Sequence, residues 1–482
     1  MAETRSADLI AALDDAPLSR FHLRAAVVSG MGFFTDAYDL FVIGIAATLI
    51  KQEWHLDAGR LALLNATMLG AACLGALVCG RLADLFGRKR VYWLVAAIMV
   101  VAAIGSALAP SFWVLIGFRF LLGLGVGGDY PVSAVLMTEY SNRANRGRLV
   151  GLVFSTQALG LVVGPLIALA LLGGGAGIGS TWRILLGLGA VPAAAVLYLR
   201  RRMPESPRYL AQVQGQAQTA ALQLAQFSQG TLEVGQAAMQ ASATAQPSPM
   251  GLRAFLANRR FLVMLIGTAG SWFLLDYAYY GNTISTPQII KLISPGASTI
   301  TTIAIQLGIF VLAAVPGYAL AIARMDRIGH RRLQLIGFGV MALCFAVIGL
   351  VPAMTTAVVP FVLVYGLSYF FTEFGPNMTT FVLPGELYPV SMRATGHGIS
   401  AGVGKFGAFV GVFLFPVLQQ SLGLRGTLLL TAGVAVLGGL LTLVLPETAG
   451  RSLDEISGPG DVVAAAELVL AETDPRTTIP DS

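Results

Sequence analysis

Seven ionisable residues sit in long apolar stretches where hydrocarbon side chains surround them: Asp36, Asp39, Asp129, Asp276, Glu373, Arg119 and Lys405. A charge at that depth in a hydrocarbon-length segment is costly and is usually kept for function. Five are acids and two are bases, so full ionisation would leave an excess of negative charge. Burial disfavours the ionised form of a carboxyl. A carboxyl that gains and loses a proton as its surroundings change is a proton carrier. Asp36 and Asp39 lie three apart and share one helix face, with Arg119 as a candidate counter-ion. Asp129 stands in GVGGDYP, where glycines allow close helix approach and Pro131 perturbs the backbone. These four residues read as a proton-coupling set; the plainer alternative is a static charge network that holds helices together.

Trp272, Asp276 and Tyr280 are spaced by four and form a single helix stripe. A Trp/Tyr stripe alone would mean packing or an interface belt; the central Asp points to a site. Lys405, between Gly404 and Gly407, needs an anion. Asp276 or Glu373 could serve as a resting partner, and an anionic substrate as the functional one. Gln157 in FSTQ and Asn377 in FGPN add amides. Together these groups suit an oxyanion: Lys405 gives charge, the Trp, Tyr, Asn and Gln side chains give donors, and Asp276 gives an acceptor. An acceptor carboxylate repels a bare anion but can bond one that carries its own hydrogens, as mono- or dihydrogen phosphate does. Sulfate would leave it unpaired, which gives a physical route to phosphate over sulfate.

The elements that must position these groups follow from composition. The chain is 56% hydrophobic and 12% charged with mean hydropathy +0.74, about half the charge of a soluble domain. Only helices or closed barrels satisfy a backbone in lipid, and the continuous rather than alternating apolar runs select helices. Twelve spans are predicted, at 25–49, 61–79, 91–109, 112–138, 149–172 and 181–199, then 261–289, 301–323, 333–352, 357–383, 395–418 and 426–445. Most of the 31 Lys and Arg fall in alternate loops, whereas only Lys51, Arg60, Arg183, Lys291 and Arg425 fall in the others. The positive-inside rule then puts both termini in the cytoplasm. The expected organisation is a six-helix bundle at 1–202, a cytoplasmic linker at 203–258, a second bundle at 259–457 and a disordered cytoplasmic tail at 458–482. Residues 1–24 lack a cleavable signal peptide, and with the compact loops this favours a prokaryotic inner membrane.

The halves repeat. DLFGRKR at 84–90 matches DRIGHRR at 326–332; Glu139 and Arg146 are seven apart, as are Glu386 and Arg393; FFTD ends at Asp36 and FLLD at Asp276. Asp84, Arg88, Glu139, Arg146, Asp326, Glu386 and Arg393 are accordingly expected to gate the cytoplasmic side by pairing with one another and with helix ends. The alternative is a plain topology signal. Cys73, Cys79 and Cys344 show neither metal-site nor disulfide spacing. No GxxxxGK[ST] loop implies ATP, and no basic stripe with exposed aromatics implies nucleic acid. No metal or cofactor is called for.

GFFTDAYDLF at 32–41, GGDYPVSAVLMTE at 127–139, WFLLDYAYYGN at 272–282, FGPNMTTFVLPGELYP at 374–389 and GKFGA at 404–408 resemble the phosphate:proton symporter family of the major facilitator superfamily. PESPRYL at 204–210 and PETAGRSLDEI at 446–456 are shared with sugar porters. The resemblance covers about 25–457. It implies an all-α membrane fold of twelve helices in two pseudo-symmetric bundles, a functional monomer, and alternating-access import of inorganic phosphate with protons. It also implies a phosphate site of Tyr130, Gln157, Trp272, Asp276, Tyr280, Asn377 and Lys405. Glu373, one turn before Asn377, departs from the family pattern: it could pair with Lys405 or change which anion is preferred. The rival readings are a proton-coupled symporter of an organic or aromatic acid, a sugar porter, a transporter-like nutrient sensor and a membrane enzyme. Against the last, the four histidines fall near predicted span ends.

Overall fold

The computed structural model describes Asp14 and residues 18–201, 203–228 and 250–457. The expected disordered tail and positions 229–249 of the Gln-rich linker lie outside the described residues. Every long element is helical, as a lipid-embedded backbone requires. The spanning helices are α1 (Arg20–Trp54), α2 (Ala58–Phe86), α3 (Arg88–Ala107), α4 (Phe112–Tyr140), α5 (Arg143–Gly173), α6 (Ile178–Arg200), α7 (Arg259–Ile293), α8 (Thr299–Ile328), α9 (His330–Leu350) and α10 (Val358–Leu387). One further apolar helix, Arg393–Thr442, has 50 residues. As a single rod it would reach about 75 Å, well over twice the hydrocarbon thickness. It breaks at Gly423, where φ is 68° and the conformation is non-helical. Arg425 near the break bonds the Gly349 and Leu350 carbonyls at the far end of α9, while the Leu443 carbonyl accepts from Arg331 at the near end. The chain therefore crosses and returns, and the two arms are α11 and α12. That makes twelve crossings among the described residues.

Side chains sort as a lipid solvent demands. Leu and Val at positions such as Leu159, Leu312, Leu363 and Leu437 are exposed on the outer surface, whereas α1 and α7 are buried along most of their length. Small residues bring the halves together: a methyl added to Gly80 on α2 would lie 2.5 Å from the Ala394 carbonyl oxygen on α11. Such contact between small residues is how helices associate in lipid.

Helix pairs α2/α3 and α8/α9 are joined by one residue each, Gly87 at φ 94° and Gly329 at φ 101°. Side-chain-bearing residues rarely adopt these conformations, so the glycines of DLFGRKR and DRIGHRR are required by the turn. The helix starts that follow expose amides, and each is capped by an acid from the other shared motif. Glu205 accepts from the Arg88 and Lys89 amides at 3.2 Å, and Glu447 accepts from the His330 amide at 2.7 Å. Gly329→Val is expected to cost about 1–3 kcal/mol through forced positive φ, visible as a lower melting temperature in detergent. An unchanged melting temperature would show that the turn relaxes.

Candidate functional site

The seven residues expected at the anion site meet in one buried, hydrogen-bonded cluster where the halves face each other. α11 carries Lys405, whose ammonium donates to Asp276 Oδ2 at 3.0 Å and to the Tyr280 hydroxyl at 3.0 Å. The same ammonium lies 4.4 Å from the ring centres of both Tyr280 and Tyr130, so a cation is held by one carboxylate and two π faces. Helical spacing brings Trp272, Asp276 and Tyr280 onto the inward face of α7. Trp272 packs 6.2 Å from Tyr130, and Gly404 leaves room for the indole, which a methyl there would meet at 2.6 Å. Gln157 on α5 donates to the Tyr130 hydroxyl at 3.1 Å, and its carbonyl faces the Tyr318 hydroxyl at 3.4 Å. Asn377 on α10 donates to Tyr318 at 2.9 Å and to Glu373.

Of the two partners considered for Lys405, Asp276 is the one it takes; Glu373 is turned toward Asn377, Tyr318 and Tyr279. Asp276 Oδ1 is buried and accepts no hydrogen bond, which leaves an acceptor inside a cluster otherwise rich in donors. Tyr318 belongs to the cluster and was not anticipated, because a tyrosine in an apolar run carries no distinguishing signal. His397, near the start of α11 as expected, packs edge-on against Trp272 at 5.6 Å and is wholly buried.

The four residues of the expected proton-coupling set divide differently. Asp129 forms a two-pronged ion pair with Arg200, at 2.7 and 2.9 Å, and Arg200 stacks on Tyr92 at 3.6 Å. Arg200 follows the predicted span 181–199, yet its side chain reaches back into the bundle and is fully buried. Asp129 thus fits the static-network alternative. Arg119 donates to the Asp39 backbone carbonyl and to Met68 Sδ, both at 2.9 Å, rather than to a carboxylate, so it is not the ion-pair partner expected. Both carboxyl oxygens of Asp36 and of Asp39 are buried without a hydrogen-bond partner. Asp36 lies within electrostatic reach of Asp129, Arg200 and Lys405, and Asp39 within reach of Arg119.

The seven expected gate residues gather at the end of the bundle that carries the linker. Asp84 accepts from the Ala394 and Thr395 amides at 3.3 and 2.6 Å, capping α11 of the other half. Asp326 accepts from the Arg148 amide at 2.9 Å at the start of α5, again across the halves. Glu139 binds Arg88 at 3.2 Å and Arg393 at 3.3 Å. Glu386 binds His330 at 2.9 Å and lies 3.9 Å from Arg146. The acid and base seven apart within one half are therefore not each other's partners; each reaches to the opposite half, because the loop between them turns both side chains toward the seam. Arg146 and Arg208 also share Asp14. At the opposite, distal end a cavity of about 590 Å³ lies between the halves, lined by Lys51, Gln52, Asn65, Gln288, Lys291 and Gln419 among others. The seam is thus latched at the linker end and hollow at the distal end.

The profile of the sugar (and other) transporter family matches residues 25–458. "Probable inorganic phosphate transporter 1-6" of Arabidopsis thaliana is 36% identical, covering 98% of this chain and 100% of its own length. "Low affinity inorganic phosphate transporter 1" of Petunia hybrida is 34% identical, over 93% of this chain and 95% of its own. Among solved structures, the MFS proton:xylose symporter XylE bound to 6-bromo-6-deoxy-D-glucose superposes with TM-score 0.77 at 19% identity, covering 90% of this chain and 98% of that one. The inward-open xylose transporter XylE from E. coli gives 0.64 at 20% identity, over 90% and 99%. At that identity the likeness speaks for the fold. The relatives named here are plant proteins, so the expectation of a prokaryotic inner membrane is not borne out.

Glu139→Ala strands the buried Arg393, while Arg88 keeps Asp84 at 3.1 Å; losing one partner of a buried ion pair costs about 3–5 kcal/mol. The expected result is a seam that opens at the linker end, read as faster alkylation of a cysteine placed at Ala394. Equal alkylation in the two backgrounds would show that Glu139 does not hold the seam shut.

Proposed function

Because the chain belongs to the sugar (and other) transporter family of the major facilitator superfamily, a family of multi-pass membrane carriers, we propose that it imports inorganic phosphate together with protons by alternating access. The observation that carries this is Lys405. Its ammonium sits at the seam between the halves, in a cluster with Tyr130, Gln157, Trp272, Tyr280 and Asn377 as donors and one free acceptor oxygen on Asp276. A neutral sugar has no use for a buried ammonium. A dihydrogen or monohydrogen phosphate uses all of it: its oxygens take the donors and its own hydroxyl bonds Asp276. The relatives' names agree with that chemistry.

The proposed orientation puts the linker end and both termini in the cytoplasm, as the positive-inside rule asks. The distal cavity then faces outward and the latched seam faces inward. Phosphate enters through the cavity and displaces Asp276 from Lys405. Asp36 and Asp39, buried without partners, take a proton before the halves rock. The units that rock are 1–202 and 259–457, with 203–258 joining them, and a single chain contains the whole path. Opening the latch of Asp84, Arg88, Glu139, Arg146, Asp326, Glu386 and Arg393 releases phosphate and proton to the cytoplasm. Arg119 holds the Asp39 backbone, and the Asp129–Arg200 pair braces the bundle within electrostatic reach of Asp36. The work is transport, with no catalysis.

Uptake of labelled phosphate into proteoliposomes tests the reading. Saturable uptake, raised by an inward proton gradient and resisted by neither sulfate nor aromatic acids as competitors, is expected. Absence of phosphate uptake in vesicles that hold folded protein would refute it. Lys405→Ala should weaken phosphate binding at least about 100-fold, since a charge-assisted bond of about 3 kcal/mol is lost; wild-type affinity in that variant would remove Lys405 from the site. Asp36→Asn should abolish accumulation against a gradient, and intact accumulation would take Asp36 out of the proton path.

A further inference from the structure

Glu373 is a buried carboxylate with no ion pair among the described residues. It lies on α10 one turn before Asn377 and is 0% exposed. Asn377 on its own helix donates to it, and the phenols of Tyr279 on α7 and Tyr318 on α8 face it. Tyr369, one turn earlier on α10, lies within its electrostatic reach. No lysine, arginine or histidine stands among these groups. Oε1 makes no hydrogen bond, nor does the Tyr279 hydroxyl. Every other buried acid at the seam's core, apart from Asp36 and Asp39, has a cation to hold its charge.

A row of hydroxyls lies between this carboxyl and the segment that lines the distal cavity, bonded from Tyr369 to Tyr365 and interrupted at Tyr279. Tyr279 packs 6.0 Å from Tyr369, whose hydroxyl donates to Thr283 Oγ1 at 2.8 Å and lies 3.3 Å from Thr286 Oγ1. Thr286 also meets the Tyr365 hydroxyl at 3.1 Å. Its chain neighbour Ser285 lines the cavity. Hydroxyls both donate and accept, so this row can pass a proton once the Tyr279 hydroxyl, unbonded here, turns to bridge Tyr369 and Glu373.

Resting on the phosphate-import reading, we propose that Glu373 is a second proton-coupling carboxyl, in the C-terminal half, loaded from the distal cavity along Thr286, Tyr369 and Tyr279. The ionised carboxylate holds the Asn377 amide. Protonation weakens that bond and frees the amide to donate to phosphate, so a proton on Glu373 precedes tight substrate binding. The proton comes from hydronium in the distal cavity, whose O–H bond breaks as the carboxyl O–H forms, each hydroxyl on the way exchanging one O–H bond for another; at the linker end the carboxyl O–H breaks and water takes the proton as hydronium.

The test is the proton-to-phosphate ratio in proteoliposomes, taken from the gradient at which net phosphate flux reverses. Glu373→Gln, nearly isosteric, should lower the ratio by about one proton per phosphate. Tyr369→Phe, which removes one hydroxyl from the line, should slow proton-driven uptake while keeping the wild-type ratio. A wild-type ratio in Glu373→Gln overturns the proposal, and so does an unchanged ratio with altered competition by organic anions, which makes Glu373 a specificity residue only. Failure of the wild-type protein to move protons with phosphate removes the import reading and this one together, an outcome distinct from failure of the variant alone.

Discussion

A charge taken out of water into a medium of low dielectric must find an opposite charge, a set of donors or a proton. This requirement organises the whole interior. Lys405 is met by Asp276 and two aromatic faces, Asp129 by Arg200, and Glu139 by Arg88 and Arg393. Three carboxyls, Asp36, Asp39 and Glu373, have no such cation in contact. The compensated charges define a scaffold; on the proposed import reading, the uncompensated ones are where protons come and go.

The two-fold repeat carries the requirement to the linker end. Asp84 and Asp326 each cap a helix of the opposite half, and Glu205 and Glu447 each cap the helix that follows a one-residue glycine turn. PESPR and PETAGR are thus structural counterparts. Sequence reading saw them only as motifs common to sugar porters, since a cap acts on backbone amides whose identity leaves no trace in the sequence. Where the repeat supplies the cation that binds Glu139 or Glu386, it changes type: Arg88 in the first half is answered by His330 in the second.

Much of the fold was legible because apolar run length is set by bilayer thickness; all twelve spans appear, including the pair hidden in the continuous helix broken at Gly423. The anion cluster was legible because its members are polar residues in apolar surroundings, the strongest contrast such a sequence offers. Pairing was less so. Arg200 sits at the end of α6, where a long side chain can point either to water or back into the bundle, and helical periodicity does not say which. The crossing of Glu139 and Glu386 to the other half's arginines depends on how the loops fold over the seam, a tertiary fact. Tyr318 was invisible for the opposite reason: an aromatic in a span is ordinary until its neighbours are known.

The Lys405–Asp276 pair has an electrical consequence. With the site vacant, the positive and negative members travel together as the halves rock, so the pair moves no net charge through the membrane field. Voltage, worth about 2.3 kcal/mol per elementary charge per 100 mV, therefore has no purchase on the vacant return step through this pair. On the proposed cycle, whatever voltage sensitivity the return step has must come from groups outside this pair, namely the ionised forms of Asp36, Asp39 and Glu373 and the unpaired Arg119.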